Sequence, residues 1–359
     1  MIFGVNFFPV VDPAVKNAPS YFDDCLQLTR LAENLEFEHI QAVEHYFTPY
    51  GGYFPDPVTF LAAAAAQTER IRLTTGAVIP AFTHPVKLAG KLAMLDNLSH
   101  GRLDVGIGRG FLPDEFAAFG VPMDESRDRF IEGIEACRRL WSEQDVVYHG
   151  RFHRFGPVTL LPRPIQRPHP PIFVASATSP ESCGWAGRGG YHLQVVPSVT
   201  SREKLAEMLA AYRREWAAGG GAPDGGRIQI KYTCYLAKDR TRALRHARTM
   251  EHNYVDKMAG AVASWASTRS DCYQGYEQFV DKIRAYDFDI ALRNNKVLAG
   301  TPAAVADQLA TIRDWYGDDL TISLQFNPGF TSLTEACQAM ELFGTEVAPL
   351  FAPASATVS

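Results

Sequence analysis

Cysteine is sparse in this 359-residue chain: Cys25, Cys137, Cys183, Cys234, Cys272 and Cys337 stand far apart, and no two form a C-x-x-C pair. That spacing argues against a zinc knuckle or a disulfide framework and is what scattered buried thiols look like in a reducing compartment. No run approaches the ~18 apolar residues of a membrane span, so no membrane partner is expected. The start, Met1-Ile-Phe-Gly-Val-Asn-Phe-Phe8, lacks the basic residues and long apolar stretch of a secretory leader, and the expectation is a cytoplasmic protein. Long Lys/Arg runs are also missing. With a formal charge of -5 a nucleic-acid partner is not expected, and small molecules fit better. A glycine-rich first turn is missing as well. Pro9-Val-Val-Asp-Pro13 follows the first apolar run, which argues against a dinucleotide-binding doubly wound sheet.

What the chain does contain is a steady alternation. Short β-branched or aromatic runs at 2–8, 39–43, 71–79, 102–107, 172–175, 192–196, 228–236 and 320–325 read as strands. Helical patterns lie between and after them at 20–35, 56–70, 85–98, 124–141, 179–187, 201–218, 240–263, 302–316 and 333–349, the first with Ser20 and Asp23 as an S-x-x-D start. Two insertions interrupt the pattern: a hairpin over 146–161 turning near Gly150, and an aromatic-rich stretch over 264–299. Eight strand–helix repeats predict a single α/β domain over 1–350, a (β/α)8 TIM barrel with a hairpin insertion and a long loop or lid after strand seven. The glycine-rich 219–226 reads as a surface loop, and 351–359 as a frayed tail.

In such a barrel the carboxyl ends of the strands face the active site. Strand register alone puts His45, Gly76-Ala77, Gly108-Arg109-Gly110, Ser176–Ser179 and Gln325-Phe-Asn327 on that rim. Arg109 stands between glycines, where bare backbone admits a ligand and a guanidinium can fork onto a phosphate. Ser176, Ala177, Thr178 and Ser179 offer hydroxyls and amides ahead of a helix, a natural anion seat. Together they point to a phosphorylated cofactor. Tyr46, Phe47, Tyr50, Tyr53 and Phe54 either pack their loop or wall an apolar pocket. His149 and His153 have metal-like spacing, but Tyr148, Phe152 and Phe155 surround them, so no metal site is expected. His84 before Pro85 reads as a helix cap, and a hydrogen bond from His45 to Glu44 is the bland alternative to a catalytic role.

Four segments carry a resemblance: "EHYF" from Glu44, "GAVIPAFTHPVKLAGKLAMLDNLSHGRLDVGIGRG" from Gly76, the hairpin with its "LPRPIQRPHPPIF" tail, and "GTPAAVADQL" from Gly300. In order, over nearly the whole chain, they resemble the bacterial-luciferase-like flavin monooxygenases. The resemblance implies a (β/α)8 barrel that binds FMN as FMNH2, supplied by a separate NAD(P)H flavin reductase. It implies insertion of one oxygen atom from O2, through a C4a-peroxyflavin, into an apolar organic substrate such as a natural-product intermediate. Members are often homodimers. His45 matches the family's active-site histidine and Arg109 the arginine on the flavin phosphate. Gly76 and Ala77 match the segment whose cis peptide lies against the flavin ring.

Some positions differ from luciferase. Tyr46 replaces a second histidine, Gly108 a reactive cysteine and Ser176 an acidic residue, while Glu115 stands for an aspartate. On this basis His45 and Glu115 are each implied as catalytic residues. Gly76, Ala77, Gly108, Arg109 and Ser176–Ser179 are implied at the cofactor, and Phe8, Tyr46 and Phe111 at the substrate. The loss of the cysteine makes room beside the flavin for a different or larger substrate. Trp265, Tyr273, Tyr276, Phe279, Tyr286 and Phe288 are expected in a mobile lid. Two alternatives stay open: an F420-dependent hydride-transfer enzyme on the same barrel, and a non-catalytic flavin-binding partner subunit.

Overall fold

The computed structural model describes residues 1–221 and 225–352. Residues 222–224 of the glycine-rich loop and 353–359 of the expected tail lie outside the described residues. The fold is a (β/α)8 barrel of parallel strands with an added hairpin. In chain order the strands are β1 (Ile2–Phe7), β2 (His39–Ala42), β3 (Arg72–Thr75), β4 (Leu103–Ile107), β5 (Val146–His149), β6 (Arg154–Val158), β7 (Ile172–Ser176), β8 (His192–Val195), β9 (Ile228–Leu236), β10 (Leu298–Gly300) and β11 (Leu320–Gln325). Contacts group the chain into two units: 1–41 with 176–254 and 287 onward, and 42–175 with 255–286.

In the first unit β1 runs parallel to β11, with Val5 opposite Leu324, and β11 pairs along β9 from Leu320↔Ile228 to Gln325↔Thr233. Strand side chains alternate, so Gly4 and Asn6, Gln229 and Lys231, and Ser323 and Gln325 fall on one face. That face is polar and bonded to itself. Gln41 and Gln194 donate to Gln229 Oε1 at 3.3 and 3.0 Å, and Ser323 Oγ donates to Gln41 Oε1 at 3.3 Å. Buried amides require such partners, since each one left unmet costs about 1–3 kcal/mol. Gly4 is needed here because a Cβ would lie 2.2 Å from the His39 ring. The short β10, not expected from the sequence, pairs with the end of β9, Leu298↔Cys234 to Gly300↔Leu236. Three residues are too few to show an alternating pattern.

In the second unit β3 pairs with β4 and β4 with β7, Val105↔Ile172 to Ile107↔Val174. The expected third strand over 71–79 is shorter, ending at Thr75, with one further bridge between Val78 and Ile107. Two charged residues of the long resemblance segment do structural work. Arg102, 8% exposed, donates to the carbonyls of Ser99, Ile71, Ala65 and Thr68, tying the start of β4 to the preceding loop. Asp96 accepts from the N–H groups of Ile165 and Gln166 at 2.7 and 3.0 Å and anchors the proline-rich tail. The hairpin β5/β6 turns at 150–153, where buried Glu132 accepts backbone N–H bonds from Arg151, Phe152 and His153.

Helix starts follow local chemistry. Asp56, His84, Ser179, Thr301 and Ser332 cap their helices through side-chain acceptors, and Pro57, Pro85, Pro180 and Pro302 occupy the first turns. The first helix spans Ala18–Asn34, and its cap is Asn17 rather than Ser20: Asn17 Oδ1 accepts the Ser20 N–H, which puts Ser20 inside the first turn. The last helix stops at Leu342, then widens over Phe343–Val347 and tightens over Ala348–Phe351 around Pro349. Among the described residues no helix is long and apolar enough to cross a membrane.

Candidate active site

The second unit brings together His45, Tyr46, Gly76, Ala77, Gly108, Arg109, Phe111 and Glu115. His45 leaves the end of β2, and its ring is held by Gly51: with φ +82°, that glycine comes so close that a Cβ would sit 2.6 Å from His45 Cβ. His45 is 9% exposed, and its Nδ1 is 3.1 Å from Glu115 Oε1. The same oxygen accepts the Tyr46 backbone N–H at 2.8 Å. Glu115 is 1% exposed, and its other oxygen, Oε2, is buried with no hydrogen-bond partner among the described residues. Such an acceptor is suited to a donor that arrives with a ligand.

Glu44 is not the partner of His45, contrary to the bland expectation. It turns the other way, accepting from Tyr46 Oη at 2.7 Å and from the Ile79 N–H at 3.2 Å. Burial pushes its carboxyl up to about 8, against the lowering effect of the Tyr46 hydroxyl and Lys91. Burial and the Glu44 charge push the Tyr46 phenol well above its ordinary value. Tyr46 is thus clamped at both ends: its N–H on Glu115, its hydroxyl on Glu44. The clamp on Tyr46 has no signal in the sequence beyond an acidic residue beside an expected catalytic histidine.

The peptide between Gly76 and Ala77 is cis, where the resemblance puts one. Gly108 stands against it: its N–H donates to Val78 O at 2.8 Å, and an added Cβ would come within 3.3 Å of Ala77 Cβ. A side chain at Gly108 would therefore crowd Ala77.

Arg109 Nη2 donates to Cys272 O at 3.0 Å, and its guanidinium lies 4.2 Å from the centre of the Tyr273 ring. Tyr273 Oη donates to Gly110 O at 2.7 Å, and Trp265 Nε1 to Phe111 O at 3.0 Å. Burial pushes the Tyr273 phenol up to about 12, with Arg109 pulling the other way. Trp265, Tyr273, Tyr276 and Phe279 pack ring to ring, and Phe111 lies 6.4 Å from Phe279. The stretch 263–284 is thus an aromatic layer docked on the turn after β4. Phe288, expected in the lid, is instead 1% exposed in the first unit under the Arg248 guanidinium.

The loop aromatics divide. Tyr50 and Phe54 are buried at 3% and 1%, whereas Phe47 is 67% exposed with φ +66°. Tyr46 packs edge-on against Phe119 at 4.8 Å. Phe8 and Ser176–Ser179 belong to the first unit. The Phe8 ring lies 5.8 Å from that of Tyr254. Ser179 Oγ accepts the Ser182 N–H at 3.1 Å, and Ser176 Oγ donates to Ser179 O at 3.4 Å. His84 caps its helix by accepting the Val86 N–H, and its ring meets that of His153 at 5.1 Å. Among the described residues no group of three metal-ligating side chains is assembled.

A family model described as luciferase-like monooxygenase matches residues 1–319. The chain belongs to that family. Monooxygenase RslO1 from Streptomyces bottropensis is 50% identical, with a TM-score of 0.89 over 98% of this chain and 100% of that one. An FMNH2-dependent dimethylsulfone monooxygenase of Pseudomonas putida is 34% identical over 336 residues, 90% of this chain and 86% of its own length. An F420-dependent glucose-6-phosphate dehydrogenase of Intrasporangium calvum is 34% identical over 187 residues, 50% of this chain and 54% of its own. Against a Mycobacterium tuberculosis relative, 36% identical over 178 residues, the match spans 49% of this chain and 62% of the relative's length.

Proposed function

We propose that this luciferase-like chain is the oxygenase of a two-component system. It takes FMNH2 from a separate NAD(P)H flavin reductase and uses O2 to insert one oxygen atom into an apolar organic substrate. The observation that carries this reading is the buried His45–Glu115 pair, set in the same unit as Gly76, Ala77 and Gly108, where an added Cβ at Gly108 would crowd Ala77. The similarity to RslO1 and to the FMNH2-dependent dimethylsulfone enzyme supports it.

The floor fits a flat ring, since a side chain at Gly108 would fill the space against Ala77. When bound, the reduced flavin supplies the electrons that activate O2. The chain's own residues bind, orient and move protons. With Nδ1 turned to the Glu115 carboxylate, His45 keeps its N–H there and exchanges protons through Nε2. Tyr46, fixed by Glu44 and Glu115, holds one wall for the substrate, with Phe111 as a further apolar contact. A guanidinium can donate five bonds, so Arg109 can release Cys272 O or share its fork with a phosphate. Ser176–Ser179 keep their assignment as an anion seat at a helix start. The aromatic layer over 263–284 keeps water from the reacting groups.

A second reading, hydride transfer with F420 on the same floor, is favoured by the Intrasporangium relative. Anaerobic fluorescence titration with reduced FMN and reduced F420 tests the choice. The first reading expects FMNH2 to bind and F420 to bind at least about tenfold more weakly, a difference of roughly 1.4 kcal/mol. Tight F420 with no FMNH2 binding reverses the order.

A further inference from the structure

One carboxyl group of the second unit touches both the turn that carries His45 and the segment that carries Gly76 and Ala77. Glu44 is 4% exposed. Its Oε1 accepts from Tyr46 Oη at 2.7 Å, beside His45, and its Oε2 accepts from the Ile79 N–H at 3.2 Å, two residues past Ala77. The cation whose charge reaches it, Lys91, is paired with Asp56 at 3.2 Å. Both oxygens of Glu44 thus serve uncharged donors, one on each segment.

The 76–79 run is held from two sides. The Gly76 N–H donates to Ala42 O at 2.7 Å and the Val78 N–H to Gly106 O at 2.9 Å, so the neighbouring strands hold its start and middle through their backbones. Its end, Ile79, is held by the Glu44 side chain. Packing closes the far side of the link: Ile79 and Phe116 share one apolar cluster. Glu115, next to Phe116, accepts the Tyr46 N–H at 2.8 Å and lies 3.1 Å from His45 Nδ1. The circuit from Glu44 through Ile79, Phe116, Glu115 and Tyr46 returns on itself, with His45 attached to it. An apolar residue at 44 would strand the buried Ile79 N–H.

We propose that Glu44 is a positioning residue that sets His45 in register with the Gly76-Ala77 segment, so that a ring seated on that segment meets the imidazole in a fixed place. The role rests on the oxygenase reading, which puts the flavin on that segment and proton exchange on His45. Glu44 acts through Tyr46 and Ile79. A carboxyl group suits the task because its two oxygens can accept from two directions. Glutamine can bridge the same gap, its carbonyl accepting from Ile79 and its amide donating to the Tyr46 oxygen. Leucine, of similar size, can do neither, and phenylalanine at 46 cuts one link while leaving the other.

The test reads the two ends separately in the full chain. Affinity for reduced FMN is taken from anaerobic fluorescence titration, and the ring signal of His45 from NMR of histidine-labelled protein without flavin, assigned with H45Q. In Y46F the His45 signal moves while FMN affinity keeps its wild-type value. In E44L the signal moves to the same place and FMN binds roughly fivefold more weakly, the size of one lost buried bond. The double variant matches E44L in both readouts, because its second change cuts a link already gone. E44Q restores both, which a role for bulk alone would not require. Should E44L fail to fold, Y46F and E44Q carry the test without it. A His45 signal unmoved by Y46F, additive displacements in the double variant, or E44Q behaving as E44L overturns the proposal. Wild-type chain that binds no FMN defeats the oxygenase reading and the Gly76-Ala77 end of the proposal with it. Wild-type chain that binds FMN, with His45 indifferent to Glu44 and Tyr46, overturns the positioning role alone.

Discussion

Glu115 Oε1 accepts two bonds at once, from the side of the His45 imidazole at 3.1 Å and from the Tyr46 N–H at 2.8 Å. One buried oxygen therefore sets both the tautomer of the histidine and the position of the tyrosine beside it. In the proposed chemistry a carboxylate so placed orients the imidazole as the third group that positions a base.

The first prediction concerns that pair. H45A should leave flavin affinity within a few fold while lowering the rate of product formation by roughly 10²–10⁴, the range for a lost proton-transfer group. E115Q should fall in the same direction by a smaller factor, because an amide can still accept from Nδ1. Single-turnover kinetics with preloaded reduced flavin separate the two steps, and unchanged turnover in H45A removes the histidine from the chemistry.

Glu44 makes stability depend on pH. Its folded-state pKa is raised from the ordinary carboxylate range to about 8, so the folded chain holds the proton more tightly than the unfolded one. That contribution is fully present below the unfolded value and is lost as pH rises through about 8. E44Q can still accept from Ile79 and face Tyr46 Oη. Its melting temperature should therefore fall less than that of the wild type across this window. Parallel curves for the two proteins would contradict the assignment.

Gly108 reports on the floor. G108A places a methyl group 3.3 Å from Ala77 Cβ and should weaken flavin binding with little effect on folding. Larger replacements should weaken it further in order of side-chain volume. Flavin affinity that ignores side-chain size at 108 would place the ring elsewhere.

Arg109 couples the turn after β4 to the aromatic layer. Y273F loses the bond to Gly110 O, worth about 0.5–1.5 kcal/mol, and should raise hydrogen exchange across 263–284. R109K keeps the charge but not the fork, and should fail to restore flavin affinity lost in R109A. Exchange in the layer that is indifferent to Tyr273 would show that its other rings alone hold it down.

Much of the barrel was legible because long, strongly patterned segments announce themselves. The helices at Pro85–Leu98 and Pro302–Tyr316, and the strands at Ile228–Leu236 and Leu320–Gln325, have the expected bounds. Strand register also brought His45, Arg109 and Gly76-Ala77 into view. The partner of His45 was harder to read: Glu115 is seventy residues away, and only the fold chooses it over adjacent Glu44. The 264–299 stretch resisted for a related reason. Its short 3-10 turns are held by long-range contacts such as Trp265 to Phe111 O rather than by a repeating pattern.

The most direct test of oxygen insertion is turnover in isotopically heavy O2, with FMN, a generic flavin reductase, NADH and a panel of apolar candidates, followed by mass spectrometry of the products. A product carrying one heavy oxygen atom per molecule, formed only when reduced flavin is supplied, is the predicted result. Steady consumption of reduced flavin with no heavy oxygen in any organic product, or substrate turnover that requires F420 and ignores O2, would contradict it.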